Sequence, residues 1–346
     1  MFRALLTKRY PKVDHKGELF ASGSVRRKLA GKALRVGGGL IAKCADWAWL
    51  KSTLGLRGWR GEGTAKKMCW ICRASFNDEH NCHDFTSTAT WRATLLSTRD
   101  LWVDVSAESA YVSAIWSAPG FCLAAVRPDW MHVCCLGILQ YLCGNVLWEL
   151  FQALGGPFRN DRAACSNLDK MMAACAKEMG VALSVTNLTV SMFRGAAKQK
   201  PKLKTKAAKG RYFLPVLAKL LQDYFPHGTE HDKRRLLCVE ALQDCYNELN
   251  NWVTLESPHR LGVHARRHLL LYRALRDSAS NVLLWCLYPN HHLFAHVAEA
   301  AYTNPRLEWN YSDEAEIGLA VKQAQKLSIK HLAVQLMQKY RATFEV

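Results

Sequence analysis

The chain has 346 residues, 49% of them hydrophobic, and its 47 Lys and Arg residues exceed 29 Asp and Glu residues to give a formal net charge of +18. No apolar run approaches the ~18–20 residues of a membrane span, and Met1–Tyr10 has basic residues but lacks the apolar h-region of a secretory signal, which argues against membrane and secreted classes. Its 13 cysteines are odd in number and scattered, so we expect free thiols in a soluble protein of a reducing, intracellular compartment.

The positive charge is concentrated in two blocks. Residues 1–73 carry 17 basic and 4 acidic residues, and residues 194–211 carry eight basic residues and no acidic one. Such a localised excess favours contact with phosphates and predicts a nucleic-acid partner, whereas a solvated face or flexible tail is the alternative. The nucleic-acid-binding residues predicted in the second block are Lys198, Lys200, Lys202, Lys204, Lys206, Lys209 and Arg211. The second block is equally typical of a nuclear-import signal, and we expect a nuclear location.

The first part of the chain predicts little regular structure. Residues 1–30 are punctuated by Pro and Gly, and the segment 37–44 is typical of a glycine turn that leads into a short apolar strand. The three glycines lack the Gly-Lys-Ser/Thr sequence of a phosphate-binding loop. From His132 to Leu154 apolar residues occupy nearly every face, which predicts a buried helix that ends at Gly155-Gly156-Pro157.

Helical patterns dominate the rest of the chain. A helix is predicted over Asp161–Met179, a strand or extended segment over Val181–Val190, and a mobile linker over 194–211. Further predicted helices are Tyr212–Tyr224, His231–Val253, His259–Ser278, His292–Ala301, Asp313–Lys326 and Ile329–Thr343. The predicted fold class is therefore mainly α, with a small α/β part before about residue 60.

One C-x-x-C motif, Cys69-Trp70-Ile71-Cys72, could hold a zinc ion. Two thiolates at this spacing can bind one Zn²⁺ from a tight turn, but a closed site needs two more ligands. The predicted additional ligands lie within eleven residues of Cys72 and are His80, Cys82 and His83. A zinc knuckle over residues 61–95 is thus one interpretation; two half-buried thiols and a redox pair are the alternatives.

Three other polar segments have ordinary structural interpretations. Asp129 opens the long buried helix as an N-cap, or it forms a polar site with His132 on the same helical face. The segment 309–314, Trp-Asn-Tyr-Ser-Asp-Glu, is typical of helix capping. His292 and His296 have metal-binding i, i+4 spacing, but the Glu of H-E-x-x-H is missing, and we interpret them, with His291, as packed or surface histidines.

In order along the chain, several short motifs resemble the DDE transposases of CACTA (En/Spm-like) cut-and-paste elements. The motifs are A-D-W-A-W-L around Asp46, the C-x-x-C, D-W-M-H at 129–132, R-Y-F-L-P-V-L at 211–217, W-C-L-Y-P-N-H-H-L-F-A-H at 285–296 and W-N-Y-S-D-E at 309–314. The resemblance spans roughly residues 40–330.

The resemblance implies a fold and a chemistry. Asp46 matches the second and Glu314 the third catalytic acid of an RNase H-like core, and Asp129 and His132 match a site-supporting signature. Two Mg²⁺ ions held by such acids would cleave and transfer DNA strands. Asp14 lies only 32 residues before Asp46, too close for the first acid, so we expect the opening strands outside this chain and the core to be incomplete.

The domain prediction follows the same resemblance. We expect a basic segment with partial RNase H-like strands over 1–60, the zinc knuckle over 61–95, a large helical insertion over 96–300, and helices returning to the core over 301–346. The predicted function is a transposase-derived DNA-binding protein that is inactive as this chain. A non-catalytic, zinc-stabilised nucleic-acid-binding protein and a helical interaction protein are the alternatives, and a homo-oligomer is left open.

Overall fold

Two short parallel strands lie beside a helical body. In this computed structural model the described residues are 9–14, 17–34, 43–45, 47–56, 68–76, 79–108, 113–117, 121–155, 161–194, 199–225 and 228–311. Strand β1 (Lys43–Ala45) pairs in parallel with β2 (Val126–Pro128), and Ala45 lies opposite Pro128. The α-helices are α1 Val25–Leu29, α2 Trp47–Leu54, α3 Thr98–Glu108, α4 Leu139–Ala153, α5 Asp161–Glu178, α6 Val190–Phe193, α7 Ala207–Tyr224, α8 Glu230–Asn250, α9 Ser257–Ser278 and α10 Pro289–Glu299. Short 3₁₀ turns cover Thr90–Thr94, Ala114–Ser117, Leu123–Ala125 and Pro305–Leu307.

The prediction of a mainly helical fold is confirmed. Helix α5 ends within a residue of the predicted boundary, and α8, α9 and α10 lie where the apolar periodicity placed them. Residues 181–189, part of the predicted strand or extended segment, contain no strand, and α7 begins at Ala207, inside the segment predicted to be a mobile linker. The predicted helices over 313–326 and 329–343 lie outside the described residues.

The central helix is buried on nearly every side. Met131–Ile138 is a π-helix that continues directly into α4, and the two are surrounded by the same apolar core. Met131–Ala153 is long and apolar enough to cross a membrane by length and composition, but 83% of its most apolar window is buried inside the protein. This burial is what a core helix shows, because other helices cover its apolar surface.

Helices α8 and α9 form an antiparallel pair that packs against α10 and the central helix. The inward side of α8 carries Cys238, Leu242, Cys245 and Leu249, spaced four, three and four residues apart and each no more than 1% exposed. That spacing places all four on one helical face, so their burial drives the pairing. The Thr229 side chain starts α8 by accepting the backbone N–H of Asp232.

A largely buried carboxylate joins the central helix to its neighbours. Glu149 of α4 accepts from Trp285 Nε1 at 2.6 Å, Arg235 Nη1 at 3.0 Å and His231 Nε2 at 3.1 Å. Burial by itself raises the pKa of Glu149, but the hydrogen bonds of His231 and Trp285 and the charge of Arg235 outweigh it and leave the pKa below the usual value. The carboxylate is therefore paired, as a buried charge must be.

Candidate metal centre

Four buried side chains, two thiols and two imidazoles, converge on one point of the core. Cys69, Cys72, His292 and His296 each offer one ligand atom, and these four atoms all lie within 4.8 Å of one another. Cys72 Sγ is 3.2 Å from His292 Nε2 and 3.4 Å from His296 Nε2, and the two Nε2 atoms are 3.1 Å apart. Cys₂His₂ is a standard zinc donor set.

The spacing of the donor atoms fits tetrahedral coordination. Zn–S bonds of about 2.3 Å and Zn–N bonds of about 2.0–2.1 Å place neighbouring ligand atoms about 3.3–3.8 Å apart in a tetrahedron. The distances among Cys72 Sγ and the two Nε2 atoms, 3.1–3.4 Å, lie at or just below that range, and no two of the four donor atoms are more than 4.8 Å apart, so small side-chain movements would accommodate an ion. All four residues are buried, and four protein ligands leave no open position, which is typical of a structural zinc site.

Local structure explains how each pair is presented. The Cys69–Cys72 turn is fixed by the backbone bond from Leu96 N–H to the Ile71 carbonyl and by the Ile71 N–H, 3.3 Å from Cys69 Sγ. On α10, the i, i+4 spacing of His292 and His296 places both rings on one helical face. The preceding residue, His291, has a different task, because its Nδ1 accepts the Tyr288 N–H at 3.0 Å and caps the helix.

Aromatic packing closes the site. The Trp91 ring contacts the edges of both histidines, with centroids 4.6 Å from His292 and 5.0 Å from His296. Trp91 itself is held by the bond from its Nε1 to the Asp84 carbonyl at 2.7 Å. The two histidines are thus fixed in orientation by a rigid neighbour, which lowers the entropy lost on binding an ion.

The protonation of the two thiols is asymmetric. Burial raises the pKa of Cys69, but the hydrogen bond with Cys72 and the charges of His296 and His292 outweigh it and hold the pKa well below its usual value. The pKa of Cys72 is raised by the hydrogen bond with Cys69 and by burial. Burial also lowers the pKa of His292. One thiolate and a neutral imidazole are the forms that bind a metal, and Zn²⁺ binding would deprotonate the second thiol.

The structure corrects the ligand set predicted from sequence. Cys69 and Cys72 are in the cluster, but among the described residues the group that could hold a metal does not include His80, Cys82 or His83. Cys82 is buried and burial raises the pKa of its thiol to about 12, whereas burial lowers the pKa of His83 to about 4. The His80 carbonyl accepts the Ser75 N–H within the local turn. Among the described residues, the four side chains that could hold a metal are therefore not confined to a self-contained knuckle over 61–95.

A second polar site surrounds Asp129, which is 1% exposed and follows β2. Its Oδ2 accepts from the His132 backbone N–H at 3.0 Å and lies 2.6 Å from His132 Nδ1. Its Oδ1 accepts the Asn310 N–H at 3.1 Å. Asp129 therefore has both of the roles that the sequence allowed: it accepts a hydrogen bond at the start of its own helix, and it forms a polar site with His132. Its bond with Asn310 also fixes the segment 309–311.

Another ion pair attaches the same C-terminal segment to β2. Arg127 Nη1 donates to both carboxylate oxygens of Glu308 at 2.6 and 2.8 Å, and its guanidinium carbon lies 4.0 Å from the centre of the Tyr302 ring. Together with the Asp129–Asn310 bond, it holds residues 302–310 against the strand. The segment that precedes Glu314 in sequence is thus anchored at the carboxyl end of β2.

The structure describes the neighbours of the two predicted catalytic acids but not the acids themselves. Asp46 and Glu314, like Lys198 of the basic block, lie outside the described residues. Ala45, which precedes Asp46, pairs with Pro128, which precedes Asp129. The other predicted nucleic-acid-binding residues, Lys200 to Arg211, lie along the start of α7 and the segment before it.

Comparisons with protein-family models, with curated proteins and with solved structures found no match to this chain. The resemblance to CACTA transposases therefore stays a prediction that rests on the motifs.

Proposed function

We propose that the protein is a transposase-derived DNA-binding protein whose ancestral chemistry is Mg²⁺-dependent cleavage and transfer of DNA strands. The observation that carries the proposal is the convergence at Asp129 of three segments that are distant in sequence. They are the strand that leads to Asp46, the D-W-M-H motif, and the W-N-Y-S-D-E motif that leads to Glu314.

The arrangement suits a two-metal reaction. The carboxyl ends of two parallel strands meet at one edge, so Ala45 and Pro128 direct the chain to a common place. Asn310, four residues before Glu314, is bonded to Asp129 there. In this proposal Asp46 and Glu314 supply the carboxylate oxygens that Mg²⁺ prefers. Asp129 positions the surrounding chain, because both of its oxygens already accept hydrogen bonds.

The charge distribution supports DNA as the partner. Residues 194–211 carry eight basic residues and no acidic one, and residues 1–73 carry 17 basic and 4 acidic. Lysine and arginine that neutralise phosphates release condensed counterions, so the affinity must fall steeply with salt.

The test uses the full chain, a labelled DNA and a supercoiled plasmid. We expect DNA affinity to fall at least ~100-fold between 50 and 200 mM salt, as for a protein with several phosphate contacts. Asp46→Asn and Glu314→Gln should leave this affinity unchanged and abolish any Mg²⁺- or Mn²⁺-dependent nicking by the parent chain. Asp161→Asn, an exposed acid in the first turn of α5, is the matched control and should change neither. DNA affinity that is weak and insensitive to salt would contradict the proposal.

The buried Cys₂His₂ group favours a second function, a non-catalytic, zinc-stabilised nucleic-acid-binding protein. Both functions require affinity for DNA. In the second function, however, Asp46 and Glu314 hold no catalytic metal ion. The second function is favoured if the parent chain contains stoichiometric zinc, binds DNA in a salt-sensitive way and does not nick the plasmid. It is also favoured if Asp46→Asn and Glu314→Gln bind as much Mn²⁺ as the parent chain does.

A further inference from the structure

A cavity of about 510 Å³ lies between β2, the start of α3 and the C-terminal end of α10. It is larger than the gaps that close packing leaves in a protein interior, and its volume lies within the ~300–1,000 Å³ of small-molecule sites. Trp130 and Val126 form a buried part of its wall, whereas Leu95 and Tyr302 are 62% and 56% exposed, so the cavity opens to solvent beside them. A molecule in solution can therefore reach it.

The wall is held in place by bonds between segments that are distant in sequence. The Leu96 N–H donates to the Ile71 carbonyl at 2.9 Å, and the Leu123 N–H donates to Thr98 Oγ1 at 2.9 Å. All four residues line the cavity. A site whose walls are bonded in advance needs little ordering when a ligand binds, which favours affinity.

The charges of the wall neutralise each other. Apart from the histidine of the metal centre, Arg127 and Glu308 are the charged residues among the described residues that line the cavity, and they bond each other at 2.6 and 2.8 Å. Thr303 Oγ1 donates to Glu308 at 3.0 Å and accepts from Arg127 at 3.2 Å. Arg127 Nη2 has no hydrogen-bond partner, but it is buried and does not face the open space. An ionic ligand would therefore lose its hydration without gaining a partner.

Other polar groups of the wall are also bonded already. Ser97 Oγ donates to Asp100 Oδ2 at 2.6 Å, and His296 directs its Nε2 at the Cys₂His₂ group. The thiol of Cys122 is exposed, but a thiol is only a weak hydrogen-bond donor. Such a wall offers apolar contact and few hydrogen bonds, so it favours an apolar occupant.

We propose that this cavity binds an uncharged, mainly apolar small molecule. The inference goes beyond the proposed function, because it uses none of the residues of the two basic blocks that support DNA binding. Apolar surface removed from water supplies the affinity. The neutral wall supplies the selectivity, since a charged analogue of the same shape would be buried without a counter-charge.

The experiment uses the full chain and two fluorescent probes with the same ring system. N-phenyl-1-naphthylamine is uncharged, and 1-anilinonaphthalene-8-sulfonate adds one negative charge. Fluorescence titration should show that the uncharged probe binds with a stoichiometry of about one per chain, as expected for a single pocket.

The exposed thiol in the wall reports on the cavity alone. Each probe is added during alkylation by iodoacetamide, and peptide mass spectrometry follows the rates at Cys122 and at Cys286, which is half-buried and outside the cavity. The uncharged probe should slow alkylation of Cys122 and leave Cys286 unchanged. The concentration that halves the Cys122 rate should be at least ~10-fold lower for the uncharged probe than for the sulfonate.

Two substitutions fill the cavity. Ala124 and Ala301 line it, and Ala124 is exposed, so a larger side chain there leaves the apolar core intact. Ala124→Trp and Ala301→Trp should each weaken binding of the uncharged probe at least ~10-fold by occupying its space. Ala163→Trp is the matched control, because Ala163 is exposed on α5, where none of the described lining residues lies, and it should leave the affinity unchanged.

Four outcomes would overturn the inference. They are no binding of the uncharged probe by the parent chain, equal protection of Cys122 by the sulfonate, unchanged affinity in both filled variants, and release of the probe as the protein concentration is raised. The last would show that the cavity is a contact between copies of this chain. The absence of binding, together with slow alkylation of Cys122 in the parent chain alone, would show that another part of the chain occupies it.

Discussion

The most specific prediction concerns the stability that a metal ion at the Cys₂His₂ group gives by joining two parts of the chain that are distant in sequence. Cys72 and His292 are 220 residues apart in sequence, and a bound ion closes that loop in the folded protein. An ion that binds the folded chain and not the unfolded one stabilises it by RT ln(1 + [Zn²⁺]/Kd), which is about 5 kcal/mol when free zinc exceeds Kd by about 5,000-fold. This is a large share of the 5–15 kcal/mol by which a native protein is typically stable. With an unfolding entropy of about 2.1 cal/mol/K per residue, removal of the ion should lower Tm by about 7 °C.

The assay combines metal content with thermal unfolding. Parent chain purified without chelator should contain about one zinc ion per chain and lose about 7 °C of Tm in excess chelator. Cys72→Ser should lack the ion and show the lower Tm without chelator. Cys82→Ser is the matched control, because it changes an equally buried thiol in the same region that is not in the cluster, and it should retain its zinc.

Two outcomes would refute this reasoning. Loss of zinc from Cys82→Ser but not from Cys72→Ser would show that the zinc ligands lie in the local turn around Cys82 and that Cys72 is not one of them. A parent Tm that is unchanged by chelator would show that the four side chains hold no ion that matters for stability.

Two further predictions concern buried polar groups. Burial lowers the pKa of His268 to about 4, so between pH 6.5 and 4 the unfolded chain binds a proton that the folded chain does not, and stability falls as the pH is lowered. In urea unfolding, His268→Gln should lose about 2–3 kcal/mol less than the parent between pH 7 and 4.5; an identical loss would show that other groups are responsible. Asp129→Asn turns an amide N–H towards the donors of His132 or Asn310 and should cost about 2–4 kcal/mol. The exposed Asp161→Asn should cost little, and equal costs would contradict the buried bonding seen at Asp129.

Helix positions were predictable because apolar periodicity is a local property. The cysteines and leucines of α8 are spaced three and four residues apart, and the Gly at 155 and Gly at 180 lie just beyond α4 and α5. Burial of the central helix was also predicted, since apolar residues occur on nearly every face. The free thiols were predicted too: each of the twelve cysteines whose side chains the structure describes is unpaired, and most of them are buried.

The packed position of residues 200–206, which bond to the Phe193, Gln140 and Met192 carbonyls, was missed because its signal has a period of two. Lysines at 200, 202, 204 and 206 alternate with Pro201, Leu203 and Thr205, a pattern typical of a chain with one buried side. The high charge and the missing helical period indicated mobility instead. Only the space left by Gly144 shows where the apolar side packs, and that contact joins residues far apart in sequence.

Half of the metal centre was predictable. The C-x-x-C motif identifies its own two ligands, because they lie in one turn. The other two come from α10, and no local pattern connects them to residues 69–72. The i, i+4 spacing of His292 and His296 was a usable signal. It was compared with the H-E-x-x-H motif of zinc proteases, but a C-x-x-C pair that requires two more ligands was the relevant comparison.

The distance between the two halves of the metal centre also has a consequence for synthesis. At about 5–20 residues per second, a ribosome completes Cys72 roughly 11–44 s before it reaches His292. During that interval the two thiols lack the histidines of α10. They must then be kept reduced, or bind zinc together with ligands from other molecules. A nascent chain that stops before α10 can never close the centre, so a chain that holds an ion through all four side chains is one whose translation has passed His296.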